Sequence, residues 1–217
     1  METVKEIMVR LEKASKKYNI QPQDQLEWWC DYMLEFFSVD GYLNGDLKKY
    51  YKEVGEKNEE LLRITLDWVI ITDYHNRKGK WCDVLGTIYE KFYLNKNKAG
   101  ELGQFFTPTG VCELIGKIMG EKNNPTSTVN DPACGSGRTL IAHHMMSESK
   151  KHYYIAEDVD SLMCKMCALN MMIHGMHGHV VCHDTLKNPD TFLVKYQINE
   201  VRFPLHTPYF SIRRISA

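Results

Sequence analysis

The chain has 217 residues, enough for one sizeable domain or two small ones. Its 27 Lys and Arg against 28 Asp and Glu leave a net charge of −1, so no bulk field draws it to nucleic acid or to an anionic membrane. It has no membrane-length apolar run and no secretory signal, and its seven cysteines then read as reduced thiols of a cytoplasmic protein.

The first hundred residues read as a helical domain, 1–100. Leu26, Trp29, Cys30, Met33, Phe36 and Phe37 form one apolar stripe. Leu62, Leu66, Val69 and Ile70 form a second, and Leu85, Ile88, Tyr89 and Phe92 a third. These aromatic stripes read as core rather than as cofactor contacts. Breaks are expected at 21–24 and 40–46, and the Lys-, Asn- and Gly-rich stretch 95–103 reads as a linker. Short basic groups (Lys48, Lys49 and Lys52; Arg77, Lys78 and Lys80; Arg213 and Arg214) read as solvated surface.

Past the linker, Gly103-Gln104-Phe105-Phe106-Thr107-Pro108 precedes a strongly periodic helix. Val111, Leu114, Ile115, Ile118 and Met119 have i, i+3, i+4, i+7, i+8 spacing. Thr107 reads as the N-cap and Pro108 as the first helical residue. The bare reading is a capped helix; its N-terminus would also suit a carboxylate.

The most informative run is Asp131-Pro132-Ala133-Cys134-Gly135-Ser136-Gly137. It lies between a short apolar segment, 127–129, and a helical segment, 138–146. Strand, glycine turn and helix start in that order make a nucleoside or phosphate cradle. Gly135 and Gly137 permit positive φ, and the new helix N-terminus offers free N–H donors. Asp131 would repel a pyrophosphate but suits an ammonium group, which points to S-adenosylmethionine. Leu140 replaces the third glycine of the dinucleotide fingerprint, and the spacing alone fits a ligand-free turn equally well.

Two further acids weight the choice. Asp158 closes the next apolar run, 153–156, about 20 residues on, where nucleotide folds place a ribose-binding acid. Glu157 and Asp160 compete for that role, and strand alternation lets only one of Glu157 and Asp158 face a ligand. Asp184 follows the apolar run 180–182 and falls at another strand end. A solvated loop acid is the commoner fate of any single Asp, and for Asp184 alone it is the favoured reading. Between them, 161–174 reads as a crossover helix. Its Cys164 and Cys167, with His174, His177, His179, Cys182 and His183, resemble a zinc-ligand set by composition, but strand and helix duties oppose convergence on one metal. The expected metal complement is none.

Together the Gly-Gln-Phe-Phe-Thr-Pro, Asp-Pro-Ala-Cys-Gly-Ser-Gly and His183-Asp184-Thr185-Leu186 pieces resemble adenine-N6 DNA methyltransferases. The likeness is greatest to modification subunits of type I restriction systems. Asp83-Val84-Leu85-Gly86-Thr87-Ile88-Tyr89-Glu90 resembles the helix that such subunits place before Phe-Thr-Pro. The resemblance spans about 80–186 and implies an α/β fold. A helical N-terminal region would precede a partial Rossmann-like methyltransferase domain, 101–217. It implies that Phe106, Thr107 and Pro108 border the methionine end of S-adenosylmethionine, and that Asp131, Ala133 and Gly135 hold its amino-acid portion. Asp158 would bond the ribose and Asp184 the cofactor adenine. Implied partners are DNA and specificity subunits; no membrane is implied.

The chain departs from the family in one respect. The family's catalytic Asn/Asp-Pro-Pro-Tyr/Phe presents two acceptors to the target amine and an aromatic ring to a flipped adenine. No such run occurs here. Asn188-Pro189-Asp190 comes too soon after Asp184, and His206-Thr207-Pro208-Tyr209 lacks the amide; both read as proline turns. The resemblance implies seven strands. Three are expected, with a fourth among 192–196 or 198–203, so the chain reads as truncated. A noncatalytic regulatory or interaction protein retaining the fold is the alternative, and a zinc-containing nucleic-acid module the third reading.

Overall fold

The computed structural model describes residues 4–22, 24–38, 58–93, 106–120, 127–187, 191–200 and 211–217. The linker, residues 103–105, both proline fragments (188–190 and 206–209), the expected break at 40–46 and Lys48, Lys49 and Lys52 lie outside them.

Helices α1 (Val4–Lys17), α2 (Gln25–Phe36), α3 (Glu59–Arg77) and α4 (Val84–Tyr89) come first. Helix α2 buries the expected Leu26, Trp29, Cys30 and Met33. Helix α3 turns the other way from the sequence reading. It buries Leu61, Ile64, Trp68 and Ile71, while Leu66 and Ile70 are exposed. Both stripes have helical spacing, and the one carrying Trp68 removes more apolar surface from water. The indole Nε1 of Trp29 donates to Thr65 Oγ1 at 3.1 Å, joining α2 to α3. Leu85, Ile88 and Tyr89 are buried on α4, and Phe92 packs beside them in the wide turn that follows.

Helix α5 (Thr109–Gly120) is followed by β1 (Thr128–Asp131), α6 (Arg138–Met146), β2 (Tyr153–Asp158), α7 (Ser161–Ile173), β3 (His177–Cys182), β4 (Val194–Ile198) and β5 (Ile212–Ser216). The sheet order is β1-β2-β3-β4-β5. The first three strands are parallel; β4 and β5 continue the sheet antiparallel from β3. The sheet thus has two strands beyond the three expected, and β4 overlaps the 192–196 region.

Parallel neighbours need crossovers, which α6 and α7 supply. Helix α7 is buried on nearly every side because it lies between the sheet and the N-terminal helices. Lys165 on α7 bridges to Glu27 at 2.8 Å and Asp31 at 2.7 Å on α2. One apolar cluster runs from Ile7 through α7 to Ile212. Under α6, the Tyr154 hydroxyl sits 3.1 Å from His143 Nδ1 and 3.3 Å from His144 Nδ1.

Helix α5 turns its periodic apolar positions outward. Val111, Leu114, Ile115, Ile118 and Met119, spaced like a core stripe, are between 39% and 57% exposed. Cys112 and Gly116, on the other face, are buried. The helix also starts one residue later than read: the Pro108 carbonyl accepts from Cys112 N at 3.0 Å, leaving Thr107 outside the cap.

Candidate cofactor site

The glycine turn stands at the carboxyl end of β1, beside the carboxyl ends of β2 and β3. Gly135 has φ +54° and Gly137 φ +86°, both left-handed. Gly137 is the N-cap of α6, and a Cβ there would lie 2.9 Å from Cys167 Sγ on α7. The turn thus presses on the crossover helix, and glycine relieves both the backbone and the contact.

Asp131 ends β1. Its Oδ1 accepts from Ala133 N at 3.2 Å, and Oδ2 bonds the Thr139 hydroxyl. Asp158 ends β2. Its Oδ2 accepts from Gly135 N at 2.9 Å and its Oδ1 from Asp160 N at 2.9 Å. Each oxygen keeps a lone pair for a further donor. Strand alternation sends Glu157 elsewhere, to His183 Nε2 at 2.8 Å. Asp160 caps α7, accepting from Leu162 N at 2.8 Å and Met163 N at 3.3 Å. Of these three acids, Asp158 is the one bonded to the turn.

Asp184 lies two residues past β3, and His183 N donates to Asp158 O at 3.0 Å, which places it next to β2. Lys187 at 3.1 Å and the Leu186 N–H hold the Asp184 carboxyl below the usual carboxylate range. Phe106 leans on the turn: a Cβ at Gly135 would sit 3.2 Å from its ring. The Arg138 guanidinium lies 4.7 Å from the Phe106 centroid, and Tyr89 meets that ring edge-on at 5.3 Å. Thr107 is half-buried; Pro108 and Ala133 are exposed.

A polar network beneath the turn was not assigned a role from the sequence. Asp83, the N-cap of α4, accepts from Gly86 N at 2.7 Å, Ser136 Oγ at 2.6 Å, Arg138 Nε at 2.7 Å and Asn170 Nδ2 at 2.8 Å. Asn170 also donates to Ser136 O at 2.9 Å. Arg138 closes a fork on Glu90 at 2.9 and 2.8 Å. Burial alone would lower the Arg138 pKa, but Glu90 and Asp83 together raise it. One signal was present in the sequence. An arginine in the first turn of a helix opposes the dipole, so it needs an acidic partner.

Among the described residues, no group of three or more His, Cys, Asp and Glu is arranged to hold a metal. Cys164 Sγ faces the Asp158 and Val181 carbonyls, and His179 Nδ1 lies 2.9 Å from the Tyr153 hydroxyl. No described helix is long and apolar enough to cross a membrane.

A glycine turn between a parallel strand and its crossover helix, with acids at the next two strand ends, is an arrangement in which α/β folds can hold a nucleoside. Residues 80–211 match the family model described as N-6 DNA Methylase, and the chain belongs to that family. It is 28% identical to the type I restriction enzyme MpnII methylase subunit of Mycoplasma pneumoniae, over 60% of this chain and 25% of that protein. It is 31% identical to the MjaVIII methylase subunit of Methanocaldococcus jannaschii, over 49% of this chain and 19% of that one. The EcoEI methylase subunit of Escherichia coli is 26% identical over 61% of this chain and 29% of its own length. The matched stretches thus span about a quarter of the length of these curated relatives. A type I restriction-modification methyltransferase subunit from Streptococcus thermophilus superposes with a TM-score of 0.43 at 19% identity, over 87% of this chain and 40% of that one.

Proposed function

We propose that this chain is the S-adenosylmethionine-binding part of an adenine-N6 DNA methyltransferase from a type I restriction-modification system. One observation carries the reading: Gly135 N bonds Asp158 at 2.9 Å while Asp131 ties down Ala133 N and the Thr139 hydroxyl. A turn so fixed keeps its acids and its amides in place for a zwitterionic ligand.

The donor set suits that cofactor, which supplies an electrophilic sulfonium methyl when bound. Asp131 provides the negative charge for an ammonium, and the N-terminus of α6 suits the carboxylate. Ala133 and Gly135 supply backbone beside them. Asp158 is the ribose acceptor. Asp184, kept ionised by Lys187, is an acceptor for the adenine amine. Phe106, Thr107 and Pro108 border the methionine end, with Phe106 steadied by Arg138 and Tyr89.

DNA is the substrate and a specificity subunit the partner in this reading, with a cytoplasmic location. A second reading, a noncatalytic regulatory protein on the same fold, is favoured by one fact: no Asn-Pro-Pro-Tyr/Phe run occurs in these residues. Calorimetry of the wild type and Asp131→Ala with S-adenosylmethionine tests the cofactor claim. Heat of binding is expected from the wild type and not from the variant; none from either refutes it. Methyl transfer to unmethylated DNA by the purified chain would eliminate the noncatalytic reading.

A further inference from the structure

Arg138 is held by two acids with different surroundings. Its Nε donates to Asp83, while Nη1 and Nη2 donate to the two oxygens of Glu90 at 2.9 and 2.8 Å. A guanidinium is planar, and three donors engaged along its edges fix that plane. Phe106 rests on the guanidinium, with its ring centroid 4.7 Å from the central carbon. Phe106 lies in neither a helix nor a strand. Its ring is located by side chains: Arg138, and Tyr89 edge-on at 5.3 Å.

The two carboxylates divide the task. Asp83 is 2% exposed and also accepts from Gly86 N, Ser136 Oγ and Asn170 Nδ2, so it ties α4, the glycine turn and α7 together. Its loss would strand several buried donors. Glu90, in the wide turn after α4, is 35% exposed, and both its oxygens meet the guanidinium. Without Glu90, Arg138 keeps Asp83 as its buried partner. It loses the second and third bonds that stop the guanidinium from swinging about Nε, and the Phe106 ring loses a fixed support. Asp83 serves the fold, and Glu90 serves the placement of the ring.

Charge points the same way. Asp83, Glu90 and Arg138 sum to −1, and a net negative cluster next to an aromatic ring favours a cation there. In the cofactor reading above, Phe106 borders the methionine end of S-adenosylmethionine, which carries a sulfonium. The demethylated product, S-adenosylhomocysteine, has a neutral thioether in its place.

We propose that Glu90 is a positioning and specificity residue of the cofactor site. By fixing Arg138 it sets the Phe106 ring against the glycine turn, and by its charge it favours the sulfonium ligand over the neutral thioether. It acts through Arg138 rather than by touching the ligand. The inference rests on the cofactor reading and deepens it.

Calorimetry of the 217-residue chain with S-adenosylmethionine and with S-adenosylhomocysteine compares the wild type, Glu90→Gln and Glu90→Asp. Glu90→Gln should weaken the thioether about threefold, the scale of a loosened cation–π contact, and the sulfonium about tenfold or more, because the favourable charge is gone as well. Glu90→Asp keeps the charge on a shorter arm. It should weaken both ligands by one factor and leave their ratio at the wild-type value, a pattern that a purely structural role would not separate from Glu90→Gln. Both variants should melt within about 4 °C of the wild type, since Asp83 still pairs Arg138. Unchanged affinities, equal losses of both ligands in Glu90→Gln, or a Glu90→Gln chain that fails to fold would each overturn this inference alone. No binding of S-adenosylmethionine by the wild type would overturn the cofactor reading, and this inference with it.

Discussion

Arg138 Nε donates to Asp83 Oδ2 at 2.7 Å across 55 residues of chain, and both side chains are buried, at 9% and 2% exposure. This pair joins the start of α4 to the residue that follows the glycine turn. Through Ser136 and Asn170 the same carboxylate also reaches the turn and α7. The N-terminal helices and the glycine turn thus share one charged anchor.

Removing one partner from such a pair strands the other charge in the core. Asp83→Ala is expected to cost about 3–5 kcal/mol. Arg138→Ala should cost a similar amount, and the double variant less than the sum, because the two share one interaction. Urea unfolding of all four proteins measures the cycle; strictly additive losses would refute the coupling.

Gly137→Ala meets two obstacles. The φ of +86° costs an L-residue roughly 1–2 kcal/mol, and the new Cβ would stand 2.9 Å from Cys167 Sγ. Placing the change in a Cys167→Ala background should remove the contact part and leave the backbone part. A Gly137→Ala variant as stable as the wild type in thermal melts would contradict both.

Acid should weaken the fold through the histidines on α6. Burial, then the Lys150 charge, pushes the His144 pKa down to about 3, and burial also lowers His143. The unfolded value is about 6.5, so the folded state resists protonation. The stability is complete above pH 6.5 and is lost as pH falls toward 3. His144 alone should cost about 2 kcal/mol by pH 5, or about 4–8 °C in melting temperature. Melting curves of wild type and His144→Gln between pH 7 and 5 check this; the variant should have the flatter profile.

Phe106→Ala removes the ring set between Arg138 and Gly135. Cofactor affinity is expected to fall about tenfold, the scale of one aromatic contact. Thermal stability should move much less, because the ring is only partly buried. Parallel calorimetry and melting curves separate the two effects; unchanged affinity removes Phe106 from the site.

What the residues settle by themselves is local. Asp131 to Gly137 specify a strand, a left-handed turn and a helix, because glycine at positive φ and a helix start are short-range properties. The bounds of α6, the end of β2 at Asp158 and the crossover helix α7 follow from the same kind of signal. Which face of a helix is covered depends on the neighbours it meets. Helical spacing in α5 and α3 therefore identified helices but not their buried sides: α5 leaves its apolar stripe exposed, and α3 packs through Trp68. The antiparallel placement of β4 and β5 beside β3 was equally a matter of long-range pairing. Only the tertiary structure joined Asp83 to Arg138, Ser136 and Asn170. A buried carboxylate selects its donors by proximity in space, and sequence separation carries no record of that.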